Sequence, residues 1–415
     1  MRPYPFRWLT AAALLTALVV PAAAEVRPLN GEFRVNGTTD FKQRNPVAAF
    51  APSGAALVVW ENDQTGIRGR FHRLDGTPLG DQLTLVANDG LNGRRAAEVL
   101  YRKDPAVAFL PGGHFLLAWT EELAFLRSAP FIEHRRTLDQ DVYVQRFDAA
   151  GAPAGPRYRV NDTRAASQVA PKLALLGSGQ AVVVWKSAAG TGAGVGTIVA
   201  RLVGPGGRPL GAEIEASADA ASDHAAVVAG RDGFLLAWDT ALGNGQIDVF
   251  ARLYEASGQP RGPAFLVTSG TIGWQRWPAV AAGADGHYLI AWQSVINDRS
   301  IVHIHGQFVS PAGGFLGGQL LISRDTGTQL APAIAASRTG YLATWLEWKG
   351  LAWGIHAVEL DALGARLGEE VSVATSRVTK NYRRAIAADG RGGFVIPWET
   401  VARKRPVIAA RGLAQ

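Results

Sequence analysis

One stretch of this sequence, PAVAFLPGGHFLLAW from Pro105 to Trp119, recurs in near copy along the chain. Its siblings are PVAAFAPSGAALVVW (Pro46 to Trp60), PKLALLGSGQAVVVW (Pro171 to Trp185) and HAAVVAGRDGFLLAW (His224 to Trp238). Three more follow: PAVAAGADGHYLIAW (Pro278 to Trp292), PAIAASRTGYLATW (Pro332 to Trp345) and RAIAADGRGGFVIPW (Arg384 to Trp398). The Trp residues that close these copies stand 53 to 66 positions apart. A period of that size belongs to units that cannot bury their apolar face alone and must pack on one another. The repeat therefore overrides the two or three domains that 415 residues would suggest. Residues 25–415 are read as one domain, with units starting near 46, 105, 171, 224, 278, 332 and 384.

Within each unit the apolar runs are short, broken by Gly, Asp and Pro, and none keeps a helical spacing. A first strand of small residues (VAAF, AVAF, AVVA, AIAA) leads through a Gly turn to a second strand that ends at the Trp. A third strand follows, such as DVYVQRF from Asp141 or DVFARLY from Asp248, and a turn such as LDGTPLG leads to a fourth, such as DQLTLVA. Four antiparallel strands joined by turns make the blade of a β-propeller, so the expected fold is all-β with seven such blades. The last unit stops after its third strand, and GEFRVN (Gly31 to Asn36) is an orphan fourth strand. Pairing the two completes the final blade, closes the ring and removes open sheet edges. Blades converge on an axis, so the small-residue strand is innermost and the Trp is read as a wedge between neighbouring blades.

The segment MRPYPFRWLTAAALLTALVVPAAAE carries Arg2 and Arg7, an apolar run and a small-residue site at Ala22 to Ala24, the pattern of a signal peptide over residues 1–24. A secreted or periplasmic chain without a membrane anchor is expected, and as a monomer. It has no Cys, so burial must replace disulfides. The net charge of +7 is carried mostly by scattered Arg, with no basic block, which reads against a nucleic-acid partner.

The pattern P-x-x-A…G-x-hhhhW…G-x-x-x-G resembles that of secreted bacterial seven-bladed β-propellers, over essentially all of residues 25–415. The resemblance implies a fold and no particular activity. The chain departs from WD40 and kelch repeats in period and glycine pattern. It also lacks the Asp-box of sialidases: turns such as PSG, RDG and ADG are not followed by Thr-Trp.

Function is sought where the copies differ. The first-to-second connection (from Asn88) and the loop after Trp119 are swollen. Together they supply the candidate acids and bases Glu121, Glu122, Glu133, His134 and Asp139, with Tyr101 and Arg102 beside them. A second candidate is aromatic: WQRW places Trp274, Gln275, Arg276 and Trp277 in the loop entering the fifth unit, types suited to stacking on a sugar or a protein partner. Three positions before the first-strand Pro stand Gln43, Arg102, Gln168, Ala221, Gln275, Gln329 and Asn381, mostly amides suited to satisfying backbone groups of the loops. His303 and His305 share a strand face without a third ligand in view, and no metal or cofactor motif is read. The sequence thus favours a non-enzymatic propeller presenting a loop face to a glycan or an extracytoplasmic protein. The alternatives are a carbohydrate-active hydrolase or lyase using the carboxylates of the second-unit insertion, and an envelope assembly scaffold.

Overall fold

A computed structural model describes residues 26–89, 96–129, 132–163, 166–188, 196–218, 221–268, 273–296, 301–324, 327–350, 352–374, 378–379, 385–402 and 405–415. The expected signal peptide lies outside these. Among the described residues there is no helix, and the strands form four-stranded antiparallel sheets in chain order.

The first sheet comprises Gln43–Phe50, Ala56–Asn62, Gly66–His72 and Leu83–Ala87. The second comprises Ala96–Phe109, Phe115–Ala129, Ile132–Phe147 and Tyr158–Arg159, its first three strands lengthened by the swollen segments. The third holds Ser167–Leu175, Ala181–Ala188, Thr197–Val203 and Pro209–Glu215; the fourth, Ser222–Ala229, Gly233–Ala241, Ile247–Glu255 and Phe265–Leu266. The fifth holds Trp274–Ala282, Tyr288–Ile296, Ile301–Val309 and Phe315–Leu321; the sixth, Thr328–Ala336, Gly340–Trp348, Trp353–Asp361 and Arg366–Ser372. The last holds Ala387–Ala388, Gly393–Ala402 and Arg405–Ala414. On the free edge of Arg405–Ala414 pair Phe33–Arg34 (Phe33 opposite Ala410) and Arg27–Pro28 (Arg27 opposite Ala414).

The closing Trp side chains are buried, and most of the core clusters join two consecutive sheets. Trp119 packs against Leu57, Val59 and Ile67 of the first sheet, and Trp185 against Leu116 and Val142 of the second. Trp60 packs against Val395, Ile408 and Ala410 of the last. Burying so large an apolar surface at every junction is what binds the sheets together.

A buried indole N–H favours an acceptor, and in three of the sheets an amide before the first-strand Pro supplies it. Trp60 Nε1 donates to Gln43 Oε1 at 2.6 Å, Trp185 to Gln168 at 2.6 Å and Trp292 to Gln275 at 3.0 Å. The amide nitrogens serve the loop backbone, as expected from sequence, Gln43 donating to the Asp40 carbonyl at 2.6 Å and Gln168 to that of Ala166 at 3.1 Å, while the oxygens of the three named amides accept from the blade Trp.

The first strands share a second device. In the first six sheets the ladder between first and second strands slips by one residue, for example between Arg44 and Val47 or between Lys103 and Ala106. At the bulge a non-glycine residue takes a left-handed conformation: Asn45, Asp104, Ala170, His224, Trp277 and Ala331. In five of the six a Pro follows, well suited to a bulge because it has no N–H to leave unpaired. The exception is His224, which the Trp-anchored alignment places in the Pro column. Its hairpin turns one residue earlier, pairing Ala229 with Phe234 across four loop residues where Phe50 pairs with Ala56 across five. His224 therefore belongs with Asn45 and Asp104, and the amide-column residue of this unit is Ser222, bonded to Thr240 Oγ1 at 3.0 Å, not Ala221.

Candidate functional site

A left-handed backbone costs about 1–2 kcal/mol for a residue with a Cβ, so something must hold these bulges. The residue that follows the Trp of the preceding sheet does so. Glu399 accepts the N–H of Asn45 (2.7 Å), Glu61 that of Asp104 (2.9 Å) and Thr120 that of Ala170 (3.1 Å). Asp239 accepts that of Trp277 (2.8 Å) and Gln293 that of Ala331 (3.2 Å). The bond between Glu399 and Asn45 joins opposite ends of the chain.

Among the six described bulges, one cannot be held this way. Lys186 follows Trp185, and an ammonium has no lone pair with which to accept. Asp223 takes over: its Oδ1 accepts the His224 N–H at 2.9 Å and lies 2.9 Å from Lys186 Nζ. Burial pushes the Asp223 carboxyl up, but His224 and Lys186 outweigh it and hold the group below the usual carboxylate range.

The His224 ring lies in the same group. Its Nδ1 is 2.8 Å from Asp239 Oδ2, its Nε2 is 3.6 Å from Asp223 Oδ2, and the ring lies 4.7 Å from that of Trp277. Asp239 is 2% exposed; it accepts from the Trp277 N–H and lies against the His224 ring, with Arg276 Nε 4.0 Å away. A carboxylate that receives Nδ1–H fixes the tautomer and leaves Nε2 with a lone pair.

Lys186, Asp223, His224 and Trp277 line a cavity of about 1240 Å³ that runs along the first strands. Its wall is small and apolar, with Ala48, Val107, Val227 and Ile334, and its polar rim holds Arg44, Glu61, Asp104, Glu122, Thr379 and Glu399. On that rim Asn45 Nδ2 donates to Glu61 Oε1 at 2.9 Å, and Thr120 Oγ1 donates to Asp104 Oδ2 at 3.2 Å.

The residues expected from sequence are divided by the fold. Glu121 is buried between Arg102 (Nε at 3.0 Å) and Arg157, while Arg102 also holds Asp89 at 2.8 Å and the Ala87 carbonyl at 2.6 Å. Glu122 faces the cavity but is held by Lys103, by Thr137 at 2.7 Å and by Gln140 at 3.1 Å. Asp139 caps the Gln140 N–H at 2.9 Å, and the side chains of Glu133 and His134 lie outside the described residues. Tyr101 reaches the cavity wall. Of the WQRW residues, Gln275 is fully buried under Trp292, Trp274 donates to the Gly245 carbonyl at 3.0 Å, and Trp277 alone lines the cavity. His303 is bonded to Gln329 at 2.8 Å, and His305 stacks on Trp292.

Sequence reasoning missed Lys186, Asp223, His224 and Asp239. A signal was present: read down the chain, the residue after each Trp is Glu61, Thr120, Lys186, Asp239, Gln293, Leu346 and Glu399. Lys186 is the cation in a column otherwise made of acceptors and one Leu.

No protein-family model and no curated protein matches this sequence. Solved structures do. A Dyadobacter fermentans protein of unknown function is similar at a TM-score of 0.53 and 10% identity, over 95% of this chain and 100% of its own. An ulvan lyase of a new polysaccharide lyase family is similar at 0.54 and 10%, over 92% and 95%. The NanB sialidase of Streptococcus pneumoniae is similar at 0.53 and 9%, over 77% and 67%. At such identity the likeness shows the fold: an all-β chain of propeller type. The comparisons also correct the expectation of a non-enzymatic binding propeller, because the neighbours with a named activity, sialidase and polysaccharide lyase, are carbohydrate-active enzymes. They favour the alternative that sequence reading had placed second.

Proposed function

We propose that this chain is a carbohydrate-active lyase or hydrolase whose chemistry is at the cavity rim between the third, fourth and fifth sheets, on a closed seven-bladed ring. The observation that carries the reading is the imidazole of His224, held by Asp239 at Nδ1 so that Nε2 can exchange a proton. Lys186 and Arg276 supply positive charge beside it, and Trp277 gives a ring face on which a sugar can stack. An imidazole base next to cations suits elimination from an acidic polysaccharide. Nε2 would take the proton from the carbon next to the uronate carboxylate, and the cations would stabilise the charge that develops on the carboxylate; a C=C bond would form as the C–O bond to the leaving sugar breaks, the leaving oxygen taking a proton from the imidazolium or from water. An ulvan lyase is among the similar structures.

The test is turnover of neutral and uronate-containing polysaccharides, followed by reducing ends and by the ultraviolet absorbance of an unsaturated uronate. Loss of both signals in His224→Ala and Asp239→Asn, with circular dichroism unchanged, supports the assignment. Turnover unaffected by either substitution would remove it. Reducing ends without the unsaturated product would make the enzyme a hydrolase. A glycan substrate also fits the resemblance to secreted propellers, and the chain is proposed to act outside the cytoplasm as a monomer. Closure rests on the pairing of residues 33–34 with 409–410. Deleting residues 26–37 should expose the edge of Arg405–Ala414 and convert a monomeric elution profile into aggregates.

A further inference from the structure

Away from the cavity, three ligating side chains meet on the sixth sheet. Glu347, His356 and Glu370 come from its second, third and fourth strands, and one donor atom of each lies within 4.8 Å of the other two. Strand alternation accounts for the meeting. His356 stands opposite Trp345 in one ladder and opposite Ser372 in the other. Glu347 lies two residues beyond Trp345 and shares its side of the sheet, and Glu370 precedes Ser372 where the ladder slips. Trp345 packs against Leu289 and Ile304, so that side faces the fifth sheet.

Glu347 and His356 are buried, at 7% and 5% exposed, and Glu370 is half-buried. Glu347 Oε2 has no hydrogen-bond partner, although His356 Nε2 is only 3.3 Å away. A carboxylate oxygen held this deep without a donor is destabilising unless a cation sits against it or the group takes up a proton. The nearest protein cation is a poor substitute: Lys349 Nζ is 3.9 Å off and largely exposed. Arg366, at 2.8 Å, and Arg324, at 3.6 Å, lie against Oε1 of Glu370.

The geometry points to a divalent transition-metal site formed by Glu347, His356 and Glu370, in which one ion ties together three strands of the sixth sheet. One imidazole nitrogen and two carboxylate oxygens suit Zn2+ and leave room for water as a further ligand. Ca2+ prefers an all-oxygen shell and should compete poorly. Sequence spacing hides such a set because each ligand lies on a different strand.

The test is calorimetric titration of Zn2+ into the whole metal-stripped protein, with the bound metal counted by elemental analysis and melting followed in parallel. A single ion bound per chain, a melting temperature raised by excess Zn2+, and loss of both in Glu347→Gln and in His356→Gln are expected. Arg366→Ala, which leaves all three ligands in place, should change affinity by no more than about 100-fold. His224→Ala should keep the ion. Absence of binding to the unsubstituted protein, an ion retained in both ligand variants, or an ion lost with His224→Ala would each overturn the site. If a ligand variant lacks the strand signature by circular dichroism, the other and Glu370→Gln decide.

Discussion

The junctions on either side of the second and third sheets solve one problem in two ways. Between the first and second sheets, Glu61 accepts the strained Asp104 N–H directly. Between the third and fourth, Lys186 occupies the equivalent place and Asp223 has to bridge it to His224. The fold requires an acceptor at every left-handed bulge, but not one from a fixed position. Where the acceptor has moved to the neighbouring residue, an ammonium and an imidazole are left at the cavity rim, within reach of a ligand.

The comparison can be broken in order of expected effect. The largest concerns what both junctions share: Trp119→Ala should cost about 3–5 kcal/mol in denaturant unfolding, because a fully buried indole between two sheets leaves a cavity neither can fill. Next, Glu61→Lys copies the unusual junction without its compensating Asp, since Lys103 precedes Asp104. The orphaned N–H and the like charge should together cost about 1–3 kcal/mol, read by the same unfolding curves. A cost near zero would show that the bulge needs no acceptor.

Lys186→Gln should be milder, about 1 kcal/mol, because Gln can accept the His224 N–H, while polysaccharide turnover falls. It should also change the acid limb of stability. Since Asp223 titrates below its ordinary 3.8 when folded, its contribution is complete at neutral pH and is lost only as pH falls through that region. Without Lys186 the folded carboxyl titrates closer to its unfolded value, so the stability lost on acidification should be smaller. His72, pulled below 6.5 mainly by burial, acts in the same direction: the folded state prefers it neutral, so stability is present above pH 6.5 and declines as the solution is acidified. The smallest effect belongs to the exposed pair Arg405 and Asp40, 3.5 Å apart, where Arg405→Ala should cost under about 0.5 kcal/mol.

Much of the fold was legible. The Trp period, the small inner strands and the turn glycines each report a local requirement, and a local requirement repeats in the sequence wherever it recurs in space. Gln43, Gln168 and Gln275 were visible as a column for the same reason, though their partner was not: the accepting amide and the donating indole are 17 residues apart on paired strands. The swollen second unit was equally visible but misleading, because Glu121 and Arg102, striking as charges in a loop, are buried against each other.

What the sequence determined by itself is the repeating unit, since alternation, turns and a buried Trp depend only on neighbours along one hairpin. The tertiary structure alone decided which polar residues meet. Lys186, Asp223, His224, Asp239 and Trp277 come from three sheets, and they converge because His224 and Trp277 both stand at left-handed bulges, next to the residue that follows the Trp of the sheet before. Strands of different sheets come together only on folding, so the period along the sequence does not reveal which polar side chains face one another.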